Sequence, residues 1–532
     1  MSCSRVCLFQ CIAISAVVFS IYLTDIFASH FVFDDSHFIV NNLFHQSWSH
    51  FFDYFTQNSM AGAGKTTNFY RPLQLLTHKL DVTVWGMNAS GHLFTSILIF
   101  TAMNLAIYLL IARLLGKTKS GMWAAFLATI LYAVHPLHCA DTAFLSGRSG
   151  MLVVLFGCLT LLTLERHFII CFICFALALF SKESAIVWPF MAMGYGWITT
   201  GKLKNFLLPK QLALILLTCI YITCRLTILD FDNTLNFSNN ASLLSENISY
   251  RIFTWFSTLA KGWQLVFFPH DIHHLRAWPV HTDWLNLQVL LGMVSFLTCV
   301  TGAFYFRRKS KIVALGLLWI IVATLPTSNM FALINSVFLD HWFLSSLLGF
   351  CLVLAGLLHM HLNSSLGISR KKIFKVSAGA AVLALVLISV TVQQVRLWRS
   401  SASLFSHILK HEPQSITARV QLGIDFNNRG EVAKAKAMYL EAIAIDDVSP
   451  EVRHNLGLIY LKEDNFYEAV EQFRKSIEID PSFFHSYYWM GRIFANAGQY
   501  DLARKAYEHC LAIFDDPRAI KAMRELDYKK QP

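Results

Sequence analysis

From residue 7 to residue 395 the chain is a succession of apolar runs joined by short polar connections. Each run approaches the roughly 20 residues that a helix needs to cross the hydrocarbon core of a bilayer. They fall at about 7–28, 93–112, 121–138, 149–164, 168–180, 184–200, 206–226, 285–306, 312–328, 343–360 and 376–395. The chain as a whole is 55% hydrophobic and only 14% charged, whereas soluble domains carry about 25% charged residues. Of the 44 basic and 33 acidic residues, 19 of each lie in 396–532, leaving 25 and 14 for 1–395. The apolar part therefore carries the whole charge of +11, and the tail is neutral and charge-rich. These figures exclude a disordered, collagenous or disulfide-framework protein. They predict an all-α chain: a polytopic membrane domain over 1–395, then a soluble helical region.

Sidedness follows from the basic residues. They cluster beside the spans, at Arg113-Lys117-Lys119, Lys202-Lys204-Lys210, Arg307-Arg308-Lys309-Lys311 and Arg370-Lys371-Lys372-Lys375. That is the positive-inside pattern and not a nucleic-acid surface. Placing all four clusters in the cytoplasm gives eleven spans, with the N-terminus inside and the C-terminus outside. The first run reads as an uncleaved signal-anchor, because it is long and its cleavage site is poor. The stretch 251–268 would break the alternation if it spanned. With Arg251 and Lys261 among Trp255, Phe256, Trp263 and Phe267, it reads instead as a helix lying in the interface. On this path 13 of the 14 acids of 1–395, all but Glu165, fall on the outer side or within the spans near it. The outer loops are 29–92 and 227–284, and the second carries sequons at Asn236, Asn240 and Asn247. The twelve cysteines lie mostly inside apolar runs, as small buried hydrophobes.

The tail keeps a strict period. Gly423, Gly457 and Gly491 are 34 residues apart, and so are Phe426, Tyr460 and Phe494, then Ala435, Ala469 and Ala503, then Tyr439, Phe473 and Tyr507. This is the tetratricopeptide (TPR) pattern of paired helices, whose small residues let helices approach and whose large ones fill between them. It predicts a half repeat at 396–415, full repeats at 416–449, 450–483 and 484–517, and a capping helix and tail at 518–532. Such α-solenoids present a concave face to a peptide or a partner protein. Acceptor docking and scaffolding are both open on the repeats alone.

Chemistry-bearing residues concentrate on the outer face. The first loop opens with Asp34-Asp35, adjacent carboxylates that repel, so that one can have a raised pKa and act as a base. Tyr70-Arg71-Pro72 places an arginine fork at a helix start, suited to a pair of phosphate oxygens. His135-Pro136-Leu137-His138 ends a span, with Asp141 and Arg148 close behind. Lys182-Glu183 interrupts two apolar runs, and Asp340-His341 follows a late outer loop. Together they make a cluster able to hold a phosphate and activate a hydroxyl. Gly62-Ala63-Gly64-Lys65-Thr66 fails as a P-loop, since the spacing requires glycine where Ser59 stands. His270, His273, His274 and His281 lack a fixed pairing or carboxylate framework for a metal, and the cluster requires none.

Asp34-Asp35 with Asn41, Tyr70-Arg71-Pro72-Leu73, His135 through Arg148 and Lys182-Glu183 together resemble the transmembrane and tetratricopeptide-repeat O-mannosyltransferases, of the GT-C glycosyltransferase fold. The resemblance covers nearly the whole chain. It implies transfer of mannose from a polyprenyl- or dolichyl-phosphate donor to a Ser or Thr hydroxyl of a protein in the endoplasmic reticulum lumen. It implies a carboxylate of the first outer loop, Asp34 or Asp35, as base; the one-sided polar cluster itself makes Arg71, Arg148 and Lys182 the candidate ligands of the donor phosphate, in a single displacement that inverts the sugar. It further implies an acceptor held by the TPR groove and no cofactor beyond the lipid-linked sugar. The chain departs from the family at Ala140, where a glutamate is usual, and at Asp340-His341, where Glu-Arg is usual. A GT-C enzyme with a glycan or lipid acceptor, and a non-catalytic membrane scaffold, are the alternatives.

Overall fold

The computed structural model describes residues 3–116, 118–200, 209–231, 240–334, 336–363 and 370–529. Lys117, Lys202, Lys204 and the sequon at 236–238 lie outside them, as do the side chains of Asn240 and Arg370. The described residues are helical and contain no strand, and they divide into two compact units, Met1–Ser400 and Ser401–Pro532.

Among the described residues of the first unit seven helices are long and apolar enough to cross a membrane: Arg5–Ile26, Ala89–Leu114, Leu145–Thr163, Pro209–Thr227, Leu287–Phe306, Asp340–Asn363 and Lys371–Leu397. The run expected at 121–138 is a helix, Lys119–Ala133, that bends by 57° into Pro136–Thr142. The bend is local chemistry. Pro136 has no N–H to continue the helix and forces His135 to an extended ψ of 131°. Two further runs form shorter apolar helices, Phe168–Ser181 and Lys311–Thr327. The run expected at 184–200 is a tight turn, Glu183–Val187, followed by a 13-residue helix, Trp188–Thr200. At about 1.5 Å per residue such a helix falls short of a hydrocarbon core of about 30 Å. All eleven expected runs contain helix, and among the described residues seven, or eight with the bent pair, are long and apolar enough to cross a membrane.

The helix Ile248–Phe267 is not among these candidate spans but packs against one of them, Leu287–Phe306, through ring contacts of Trp255 and Phe256 with Phe296 (6.0 and 5.7 Å). Asn247 caps it through a bond from the Ser249 N–H (2.9 Å), and it buries Trp255, Leu259 and Leu265 on one face. Close packing between spans rests on small residues, as expected where lipid supplies no hydrophobic drive between helices. A Cβ on Gly316 would stand 2.7 Å from the carbonyl oxygen of Gly349, and one on Gly349 the same distance from that of Gly316.

The second unit is a helix, Ser401–His411, three antiparallel pairs and a final helix, Pro517–Lys529. The pairs are Ile416–Asn428 with Val432–Ile445, Pro450–Lys462 with Phe466–Ile479, and Phe484–Asn496 with Tyr500–Ile513. The periodic glycines do one job three times: a Cβ there would lie 2.4 Å from the Tyr439 ring, 2.7 Å from Phe473 and 2.6 Å from Tyr507. Ala435, Ala469 and Ala503 are completely buried beside these rings.

Candidate functional site

The first loop is held in an unusual shape. Phe33 has φ of 57°, a left-handed conformation that costs an L-residue with a Cβ about 1–2 kcal/mol and persists only where its surroundings enforce it. The chain then makes a single π turn, Ser36–Val40, in which the Asp34 carbonyl accepts from both His37 N and Phe38 N at 2.9 Å. His45 braces the turn through Nε2, 2.9 Å from the Phe38 carbonyl, and Nδ1, 3.0 Å from the Tyr54 hydroxyl.

The two carboxylates part company here. Asp35 is buried, and its oxygens are fully engaged. Oδ2 accepts from Val32 N (3.0 Å), while Oδ1 accepts from Ser146 N (2.8 Å) and Ser146 Oγ (2.6 Å). Burial pushes its pKa up to about 7; the bonds from Ser146 and Val32 act downward and the neighbouring Asp34 upward. Asp34 is only half-buried.

A second group assembles around Arg71, the residue before Pro72 opens the helix Pro72–Trp85. Glu183 bridges this point twice, accepting from Tyr70 N (3.0 Å) and pairing with Arg71 Nε (3.4 Å). Burial alone would raise the Glu183 pKa, but Arg71 and the Tyr70 N–H hold it below the ordinary value. Lys182 lies in extended backbone between Phe168–Ser181 and the Glu183–Val187 turn. Burial and the nearby Arg71 pull its pKa down to about 8, against Asp141 and Glu183. Asp141 is buried with Oδ2 unpaired, and it lies within electrostatic range of Lys182.

Between the two groups stands a stack of imidazoles. His274 lies over His341 at 5.4 Å and 19°, and meets Phe33 edge-on at 5.8 Å. His341 in turn is within electrostatic range of Lys182 and Arg71. Burial, and His273 beside it, lower the His274 pKa to about 4, so the ring is neutral near pH 7. The loop that carries His274 is pinned by Arg276, which grips Asp340 with Nε (2.8 Å) and Nη2 (2.9 Å) and reaches Asp271 Oδ2 with Nη1 (3.0 Å). Lys261 also meets Asp271 (2.9 Å), and His273 N donates to Asp340 (3.1 Å). Asp340 thus anchors the loop and does not point into the group.

Several expected residues lie elsewhere. Arg148 is completely buried, and its guanidinium is already engaged. Nη1 is 2.7 Å from Asp81 Oδ2 as an ion pair, and Nη2 donates to the His92 carbonyl (2.9 Å) and Ser96 Oγ (3.1 Å). It therefore has no fork left for a phosphate, contrary to the expectation from sequence. His135 and His138 spend Nε2–H on backbone carbonyls, of Val266 (3.0 Å) and Tyr132 (2.6 Å). They brace the bent span and take no part in the cluster. Of the residues named from sequence, the structure brings together Arg71, Lys182, Glu183, Asp141 and His341, with Asp34 and Asp35 across the imidazole stack. Sequence reasoning missed Ser146, Asp81 and the role of His274. His78, Asp81 and His92 bring potential metal-ligating atoms within 4.8 Å of one another, but Arg148 already occupies the only carboxylate among them.

The tetratricopeptide repeat model matches residues 450–483, and a second model of the same description matches 473–505. Over 435 residues the chain is 23% identical to "Protein O-mannosyl-transferase F38B6.6" of Caenorhabditis elegans, covering 78% of this chain and 60% of that protein. It is 23% identical to "Protein O-mannosyl-transferase TMTC4" of Mus musculus (77% and 63%) and to "Protein O-mannosyl-transferase TMTC3" of Homo sapiens (91% and 56%). The chain spans about three-fifths of the length of the first two of these relatives. Among solved structures, the MamA protein aligns at 21% identity over 24% of this chain and 71% of that one, with a TM-score of 0.22. The chain is thus similar over most of its length to proteins named protein O-mannosyl-transferases, and its C-terminal part carries tetratricopeptide repeats.

Proposed function

We propose that this multi-pass chain is a GT-C-type glycosyltransferase. It moves a sugar, mannose by likeness to the named relatives, from a polyprenyl or dolichyl phosphate to a Ser or Thr hydroxyl of a polypeptide. The observation that carries the reading is the convergence of the Asp34-Asp35 loop and the Arg71–Glu183–Lys182 group on the two sides of the His274–His341 stack. One side offers a base; the other offers two cations whose charge is only partly spent within the protein.

We assign the base to Asp34 because it is the more accessible of the two carboxylates, Asp35 being buried against Val32 and Ser146. Asp34 takes the proton of the acceptor hydroxyl as that oxygen attacks the anomeric carbon. The bond from this carbon to the phosphate oxygen breaks, its electron pair leaves with the phosphate, and the configuration inverts. Arg71 and Lys182 stabilise the charge developing on the leaving phosphate, an effect strengthened where water is scarce. The lipid-linked sugar is the sole co-substrate. The first loop and the repeats face the lumen, where the solenoid docks the acceptor.

Full-length protein in liposomes with polyprenyl-phosphate mannose and a Ser/Thr peptide tests this. Transfer by the wild type should fall by about 10²–10⁴-fold in Asp34→Asn, the range expected for loss of a general base. An unimpaired Asp34→Asn would remove the base assignment. Hexose found on lipid instead of peptide would replace the acceptor.

A further inference from the structure

We infer that Trp398 and Arg399, which join the last span to the solenoid, are positioning residues for the carboxylate loop; the activity readout below rests on the transfer reading. The junction is not a passive tether. Trp398 is buried, lying face to face on Phe144 (4.9 Å, 20°) and edge-on to His274 (5.3 Å, 75°). Both rings also bear on Phe33, Phe144 at 6.2 Å and His274 at 5.8 Å. Phe33 is the strained residue directly before Asp34. Phe144 stands two residues before Ser146, which holds Asp35.

Arg399 fastens the start of the same loop. Its Nε bonds the buried Asp25 carboxylate at the end of the first span. Its carbonyl faces His30 Nδ1 at 2.9 Å. That nitrogen also faces the Ala28 carbonyl at 3.2 Å. Both neighbours only accept, so Nδ1 carries the proton and donates. Further back, Thr391 Oγ1 donates to the Val134 carbonyl (2.6 Å), tying the last span to the segment that leads into Ser146.

The physical consequence is specific. A left-handed Phe33 relaxes unless its surroundings hold it, and Trp398 backs two rings that do, Phe144 and His274. With the indole removed, Phe144 and His274 can retreat, Phe33 can return to an ordinary φ, and Asp34 moves with it. A misplacement of about 1 Å at a reacting group costs on the order of 10²-fold in rate. The solenoid begins at Ser401, so a truncation made before Trp398 removes part of the catalytic wall along with the repeats.

The test uses full-length protein carrying Trp398→Ala, Trp398→Phe or Arg399→Ala. Amide hydrogen exchange across 30–41 should speed by about tenfold or more in Trp398→Ala and in Arg399→Ala. It should stay near wild type in Trp398→Phe, which keeps the face contact with Phe144. In transfer assays Trp398→Ala should lose about 10–100-fold in kcat with donor KM within threefold, and Trp398→Phe should recover most of it. Unchanged exchange at 30–41 in Trp398→Ala would overturn the inference. So would a rise spread equally over 209–227 and 287–306, which marks general loosening, or a Trp398→Phe variant as impaired as Trp398→Ala. A wild type that transfers no sugar would sink the transfer reading, while exchange would still decide the positioning role.

Discussion

Arg148 separates a structural from a phosphate-binding arginine more sharply than any other residue. Its side chain is completely buried and holds Asp81 at 2.7 Å, with further bonds to the His92 carbonyl and Ser96. Arg148→Met removes the cation but leaves the Asp81 carboxylate, itself only 3% exposed, without a counter-charge. Breaking one side of a buried pair destabilises by about 3–5 kcal/mol, most of it the uncompensated charge. With about 2–4 °C per kcal/mol for domains of 150–250 residues, and less for larger ones, the loss amounts to roughly 5–10 °C. The double variant Asp81→Leu/Arg148→Met has no charge left to strand and should regain most of that loss, a coupling of about 2–4 kcal/mol. Thermal unfolding in detergent reads both, and donor KM measured on the folded fraction should not move. If Arg148→Met unfolded at the wild-type temperature and raised donor KM, the structural assignment would be refuted and the arginine would belong to the phosphate.

Asp35 predicts an unusual pH dependence. Its folded pKa of about 7 lies above the ordinary value of 3.8, so the folded state holds a proton that the unfolded chain releases. This contribution, up to about 4 kcal/mol, is fully present below pH 3.8 and lost as pH rises to about 7; Asp35→Asn should flatten the curve in a pH series of unfolding temperatures. In the solenoid, Gly457→Ala sets a methyl 2.7 Å from the Phe473 ring and should cost about 1–3 kcal/mol. Calorimetry of the full chain should show it in the transition assigned to the repeats, with that of the membrane unit unmoved. Asp340→Asn takes the charge from the group that Arg276 grips with two nitrogens, so limited proteolysis within 269–283 should quicken while Asp271 still holds Arg276.

How much of this was legible beforehand depended on the range of the signal. The repeats declared themselves because glycine, alanine and ring positions recur every 34 residues, and each contact lies within one helix pair. The apolar runs were equally visible, yet their lengths were not. Lys182-Glu183 reads as a break between two spans, but only the fold shows that a turn consumes the start of the next run and leaves 13 helical residues. Arg71 with Lys182 and Glu183 was readable as polar residues stranded among apolar ones. The partners of Arg148 were not, because Asp81 is 67 residues away and local pattern carries no information about that distance.

The two adjacent aspartates do different things for a local reason. Neighbouring carboxylates cannot both be buried and ionised without donors. Val32 N, Ser146 N and Ser146 Oγ converge on Asp35, so its ionised form is kept by bonds and opposed by burial, leaving a pKa of about 7. Asp34 instead contributes its carbonyl to the π turn, taking two N–H groups at 2.9 Å, while its side chain stays half-buried. As pH rises through about 7, Asp35 ionises beside Asp34 and makes it the stronger base, so transfer should rise through that range. Replacing Ser146 with Ala deletes one donor to Asp35, at 2.6 Å, and disfavours its ionised form. The rising limb of the rate profile should therefore move to higher pH, by about one pH unit for a bond of about 1.5 kcal/mol. A limb that stayed in place, or moved to lower pH, would show that the proton governing the rate is not held by Asp35.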